Sequence, residues 1–232
     1  MRVLDVSTIP VLFLFLVART ISHSRSHPNL AQLPSLQLRI LFKKERLQIH
    51  GHSVFDVYVK PIVSTDNNSV YYDGFATFLQ GDLEFVYMIV GGAAYVVKRS
   101  LYGNGSISTQ TAKCLTSSTP FDSIVEALNK LTVVSSTGDE IGCPSDVLYE
   151  TSFDGQDFII CDSGDEGFVA NSDELVVTVE YLDSPLGNIS PPKLSDDDTS
   201  CDVVMTETSV TPMAFKLLTG NTATACSTLE TC

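Results

Sequence analysis

Short runs of alternating apolar and polar residues, joined by two-residue turns rich in glycine, constrain this chain more than any other feature. Val54 to Lys60 places Phe55, Val57 and Val59 against Asp56, Tyr58 and Lys60, the period of a half-buried strand. The same style continues from Val70 to Leu79, and Gln80-Gly81-Asp82 closes that run. Leu83 to Val90 is nearly all apolar, and Gly91-Gly92 leads back through Ala93 to Arg99. Gly-Gly and Asp-Gly are strong hairpin dipeptides. Asp154-Gly155 repeats the signal between Val147–Phe153 and Gln156–Cys161. Further strands are predicted at 106–115 and at Leu175–Leu182. Turns this short pair strands antiparallel, because parallel neighbours need long crossovers.

One segment breaks the period of two. Phe121, Ile124, Val125, Leu128 and Leu131 share one face of a helix predicted over 119–131. Thr119 suits its N-cap, Pro120 the first helical position, and Asp122 the positive end of the dipole. The expected fold is mainly β (α+β): a curved antiparallel sheet or half-barrel of about 7–8 strands with one amphipathic helix packed on it.

Charge divides the chain near residue 52. Before it stand seven Lys and Arg, two acids and all four histidines, a formal +5. After it stand seven Lys and Arg, 26 acids and all six cysteines, a formal −19. A body so acidic is a poor partner for nucleic acid, which needs clustered Lys and Arg. Residues Val11 to Ala18, VLFLFLVA, are too few to span a bilayer and fit a signal-peptide core. The expected organisation is a signal peptide over 1–24, a basic flexible leader over 25–52, an antiparallel β domain over 53–184, and a linker with a Thr-rich flexible tail over 185–232. Lys43-Lys44 reads either as a dibasic processing point or as part of an uncut arm.

An exported, extracellular chain accounts for two further patterns. Asn67, Asn104 and Asn188 each begin an Asn-x-Ser sequon in polar, turn-like surroundings. Cys114, Cys143, Cys161, Cys201, Cys226 and Cys232 are an even set without Cys-x-x-Cys spacing, which points to disulfides rather than zinc.

Motifs of catalysis are missing from residues 53–232. Without histidine there, Ser-His-Asp and Cys-His chemistry requires the leader to fold back. No Gly-x-Ser-x-Gly elbow, phosphate loop or His-Glu-x-x-His is present. Carboxylate pairs abound but arise by chance among so many acids. The chain is therefore read as a non-enzyme. The acidic run from Asp162 to Glu174 departs from an EF-hand, with Gly164 and Asp173 at its third and twelfth positions. It reads either as a solvated loop or as a weak calcium site using Asp162, Asp165 and Asp173. An incompletely covered sheet would leave an apolar pocket, with Phe55, Phe75, Phe78, Phe85, Tyr87, Tyr95 and Phe121 as candidate liners.

Tyr72-Asp73-Gly74-Phe75, Gly81-Asp82-Leu83-Glu84-Phe85, Ala94-Tyr95-Val96-Val97 and Lys113-Cys114-Leu115 before Pro120-Phe121 occur in that order. Over about residues 70–122 the chain resembles ependymin-related secreted glycoproteins. It also looks like small secreted proteins of oomycete-type microbes. The first resemblance implies a curved antiparallel sheet with a hydrophobic pocket, similar to lipoprotein carriers. It also implies calcium association and extracellular ligand binding. The cysteine expected upstream of Tyr-Asp-Gly is absent. Two functions follow as expectations: a secreted acidic glycoprotein that binds an apolar small molecule or lipid, or an extracellular adhesion or effector protein that meets a protein or wall component through its surface and tail.

Overall fold

A computed structural model describes residues 33–115, 121–134, 143, 147–195 and 200–221. The fold is mainly β. Its strands are β1 (Ser35–Phe42), β2 (Val54–Val63), β3 (Ser69–Gln80), β4 (Leu83–Val90), β5 (Ala93–Leu101), β6 (Ile107–Cys114), β7 (Thr132–Val134), β8 (Leu148–Phe153), β9 (Gln156–Asp162), β10 (Gly167–Asn171), β11 (Leu175–Leu182) and β12 (Thr208–Ser209). Two helices accompany them, α1 (Phe121–Asn129) and α2 (Pro212–Thr219).

All pairings are antiparallel, and the sheet is open, in the order β6-β5-β4-β3-β2-β1-β11-β10-β9-β8-β7 with β12 against β3. The hairpins at Gly81-Asp82, Gly91-Gly92 and Asp154-Gly155 form as the sequence predicts. Gly91 and Gly92 have φ of 59° and 80°, the left-handed region where glycine is unstrained. A Cβ on Gly92 would also stand 2.4 Å from the Met205 carbonyl oxygen. That carbonyl belongs to a returning segment whose Val204 and Met205 amides donate to the Gly92 carbonyl at 2.8 and 3.0 Å.

Among the described residues the sheet has twelve strands rather than seven or eight, accompanied by two α-helices rather than one. Of the extra elements, β7 and β10 are short strands within the expected 53–184 domain, and β1, β12 and α2 lie outside the boundaries that composition suggests. Residues 35–42, assigned to a basic leader, form β1, which joins the two halves of the sheet. It pairs with β11 from Ser35↔Leu182 to Phe42↔Leu175 and with β2 from Leu36↔Val59 to Leu41↔Val54. Leu36, Leu38, Ile40 and Phe42 alternate with Gln37 and Arg39, so period two places one apolar row on one face. Lys43-Lys44 then lies in the β1–β2 connection. The Lys43 amide donates to the Glu174 carbonyl at 2.7 Å, and its Nζ to Asn171 Oδ1 at 2.8 Å.

The Thr-rich tail is likewise part of the fold as far as residue 221. Thr211 caps α2 by accepting from the Ala214 amide at 3.3 Å, Pro212 occupies the first turn, and Gly220 ends the helix at φ 66°. Phe215, Leu217 and Leu218 are 2%, 0% and 7% exposed. Each such burial stabilises by roughly 1.5–3 kcal/mol, which explains why the segment is docked. Residues 222–232, and the predicted signal peptide at 1–24, lie outside the described residues.

The main core combines Leu36, Tyr72, Tyr149, Ile160, Phe168 and Val179 of the sheet with Val125 and Leu128 of α1 and Leu217 and Leu218 of α2. Tyr72 Oη donates to the Leu218 carbonyl at 2.5 Å, and Tyr181 Oη to the Leu217 carbonyl at 3.0 Å. Val86, Val97 and Ala112 form a second, smaller cluster with Phe75 and Met88. Disulfides join Cys114 to Cys201 and Cys143 to Cys161, with Cα separations of 5.4 and 5.5 Å. Cys226 and Cys232 lie outside the described residues.

Candidate functional site: an aromatic end of the sheet

The predicted pocket residues divide by strand parity. Register opposes Phe78 and Phe85, and Ala76 and Tyr87, across β3 and β4. Phe55, Phe78, Phe85 and Tyr87 therefore meet at one end of the sheet. Phe55 and Phe78 are 4.9 Å apart between ring centroids, and Phe78 and Tyr87 are 5.7 Å apart. Phe75, three residues from Phe78, projects to the opposite face. There it stacks on Tyr58 at 5.6 Å and 27°. Tyr95, also of the opposite parity, is buried on β5 opposite Met88 and Cys114. The side chain of Phe121 lies outside the described residues.

Two residues of the segment expected to be a leader, His50 and His52, join this cluster. In the turn before β2, His50 and Gly51 have φ of 49° and 81°, and Ile49 pairs with His52 across the turn. The turn lays both imidazoles on β3 and β4. The His50 ring stacks on Phe85 at 4.1 Å with 16° between planes. Its Nε2 is 2.8 Å from Tyr87 Oη, and its Nδ1 is 3.3 Å from Gln80 Oε1. His52 Nε2 is 2.8 Å from the Leu79 carbonyl oxygen and so donates to it. On β5, Lys98 Nζ stands 5.7 Å from the Phe85 centroid. The premise that no imidazole reaches the β domain is therefore corrected. The hydrogen-bond partners of these imidazoles are a phenol, an amide and a carbonyl, an arrangement that orients rings.

A cleft of about 280 Å³ adjoins the cluster, lined by His52, Val54, Phe55, Asp56, Tyr58, Phe75, Thr77 and Phe78. Its lining includes Val54, Asp56, Tyr58, Phe75 and Thr77 of one parity and Phe55 and Phe78 of the other. Leu41, Val54 and Leu79 are exposed at this end of the sheet, at 40%, 39% and 55%. Asp56 Oδ1 is buried and has no hydrogen-bond partner. A second depression, of about 570 Å³, lies by β8 and β9 with Lys130, Thr132, Glu150, Ser152 and Asp157 in its wall. Phe158 and Ile159 are its apolar liners, whereas the cleft has Val54 and four aromatic residues, so the cleft is the site that offers rings to a ligand.

The carboxylates proposed for calcium are not brought together. Asp162 is 5% exposed; its Oδ2 is 2.6 Å from Lys216 Nζ, and its Oδ1 accepts from the Gly164 amide at 2.8 Å. Asp165 and Asp173 are exposed and lie beyond opposite ends of β10. A five-residue strand spans roughly 17 Å, too far for one ion. No group of three or more metal-ligating side chains occurs among the described residues.

The three sequons differ in setting. Asn104 is exposed, and its Oδ1 accepts from Ser106 Oγ at 2.7 Å. Asn188 is exposed, and its Nδ2 donates to Ser190 Oγ at 3.0 Å. Asn67 is half-buried in a left-handed turn at φ 57°, with its Oδ1 buried and unpartnered. Beside it, hydrogen bonds from Ser64 and Asn68 hold the Asp66 carboxyl below its ordinary pKa.

In the main core, burial raises the pKa of Tyr72 well above the ordinary value for a phenol. Burial also raises that of Tyr181, assisted by the charges of Asp162 and Asp165. No helix among the described residues is long and apolar enough to cross a membrane. Comparison with protein-family models, with curated proteins and with solved structures finds no match.

Proposed function

We propose that this protein is an extracellular, disulfide-bonded glycoprotein that binds a small apolar molecule at the aromatic end of its sheet, without catalysing a reaction. The observation that carries the reading is the meeting of Phe55, Phe78, Phe85 and Tyr87 with His50 and His52 beside a partly open cleft. Aromatic residues packed for stability alone are usually covered. Here Phe55, Phe85 and Tyr87 remain partly exposed, and on the opposite face, where Asp56, Tyr58 and Phe75 line the cleft, Leu41, Val54 and Leu79 are exposed.

The cleft lies at the lower end of the range for small-molecule sites. Its size favours a ligand of one or two rings, or one short chain, over a two-chain lipid. The two disulfides support an oxidising compartment. The adhesion reading keeps less support, because residues 203–219 of its proposed tail are occupied in β12, α2 and the contact with Gly92.

Native mass spectrometry of the protein purified from its own secretory host tests the reading, coupled to organic extraction and identification of what is released. A stoichiometric small molecule of low polarity is expected. Protein that carries none, and that takes up none from a panel of apolar compounds, would refute it.

A further inference from the structure

We propose that the cleft beside β2 and β3 selects a compact organic cation, an amine borne on an aromatic or short aliphatic body. The inference rests on the reading of the cleft as a small-molecule site and specifies the ligand's charge.

Asp56 is the one acidic residue in the lining, among Val54, Phe55, Tyr58, Phe75 and Phe78. Its Oδ1 is buried without a hydrogen-bond partner. Buried acceptors in native proteins are nearly always satisfied, and a carboxylate oxygen left without a donor is costly. Within the chain, the cation best placed to answer it is Arg39, directly opposite Asp56 in the β1–β2 register. Arg39 is exposed, and among the described residues no ion pair joins the two. Lys60, two places further along the same face of β2, stands opposite Asp73 instead. His52 is already held by the Leu79 carbonyl. The demand of Asp56 is left for a molecule from outside.

The walls favour the same charge. Aromatic faces carry negative potential, and Tyr58 and Phe75, which share the face of Asp56 by strand parity, supply two rings beside its carboxylate. An ammonium group there meets an acceptor and π surface together. A neutral ligand leaves Asp56 unanswered, and a fatty acid brings a second carboxylate to it. The protein's net charge of −14 adds long-range attraction for cations.

Isothermal titration of the full-length protein at neutral pH with tryptamine, 3-ethylindole and indole-3-propionate separates these cases, because the three share a shape and differ in charge. Tryptamine is expected to bind about ten-fold or more tightly than 3-ethylindole, with indole-3-propionate weakest. In Asp56→Asn, with its fold checked by circular dichroism, tryptamine should fall to within about two-fold of 3-ethylindole, whose own affinity is kept. Equal binding of amine and neutral ligand by the unmodified protein, or a preference that survives in D56N, would overturn the proposal and leave the small-molecule reading standing. Failure of all three to bind would overturn both.

Discussion

His50 lies face to face with Phe85, their ring centroids 4.1 Å apart and their planes 16° from parallel. The contact joins the turn before β2 to the start of β4 and ties the β1–β2 connection to the aromatic end. It is reinforced by the 2.8 Å contact of His50 Nε2 with Tyr87 Oη. A ring stack contributes about 0.5–1.5 kcal/mol beyond its buried area, and a net hydrogen bond a similar amount. His50→Ala should therefore lower stability by about 1–2 kcal/mol. With Tyr87→Phe it should show a coupling above about 0.5 kcal/mol in a double-mutant cycle. Urea midpoints of the four proteins measure this. Strict additivity would mean that the two side chains act independently.

Phe215 gives a sharper contrast. A flexible tail predicts no effect of its truncation, whereas a docked α2 predicts a cavity in the core. Phe215→Ala should cost about 3–5 kcal/mol. Met213→Ala, at a side chain on the same helix that is 37% exposed, should cost less than about 1 kcal/mol. Urea denaturation of both variants checks the difference.

Burial raises the pKa of Tyr72 and Tyr181 in the folded protein. In the unfolded chain both lose their protons near pH 10. Below that pH both states are protonated and the two residues add no pH dependence. Above it the unfolded state releases protons that the folded state retains, so stability falls. The loss approaches about 1.4 kcal/mol per pH unit for each proton fully retained. Denaturation midpoints should decline from about pH 10 upward, and phenolate absorbance should show these two tyrosines silent until the fold gives way. Titration of all eight tyrosines together near pH 10 in an intact fold would contradict their burial.

The disulfides differ in the chain they close, with separations of 87 residues for Cys114–Cys201 and 18 for Cys143–Cys161. On a chain-entropy argument, removing the first costs about 4–5 kcal/mol and the second about 3 kcal/mol. Peptide mapping without reduction should recover both pairs, and Cys→Ser double variants should lose stability in that order. Recovery of Cys114 paired with Cys226 or Cys232 would contradict the topology around β6.

The sequence disclosed the hairpins, α1 and the antiparallel class, because those signals are local. It concealed β1, whose alternation of Leu36, Leu38, Ile40 and Phe42 is as regular as any in the chain. Arg39, Lys43, Lys44 and Arg46 drew attention to charge, and charge does not determine pairing. The ends of α2 were also written locally, in Thr211-Pro212 and Gly220, but a Thr-rich composition masked them. The aromatic site was half legible. Phe55, Phe78, Phe85 and Tyr87 could be named, yet their meeting depends on the β2–β3–β4 register, and Phe75 takes the other face by parity. The roles of His50, His52 and Asp56 carry no local signal, since each depends on neighbours from strands distant in sequence.

Whether the aromatic end is a binding site can be read most directly from a two-dimensional NMR titration of the full-length protein with 3-ethylindole, a neutral apolar probe. Saturable shifts confined to residues 50–58 and 75–87 are predicted, with those of α2 and β8–β9 unmoved. Shifts that never saturate, or that centre on the polar depression beside β8 and β9, would contradict it.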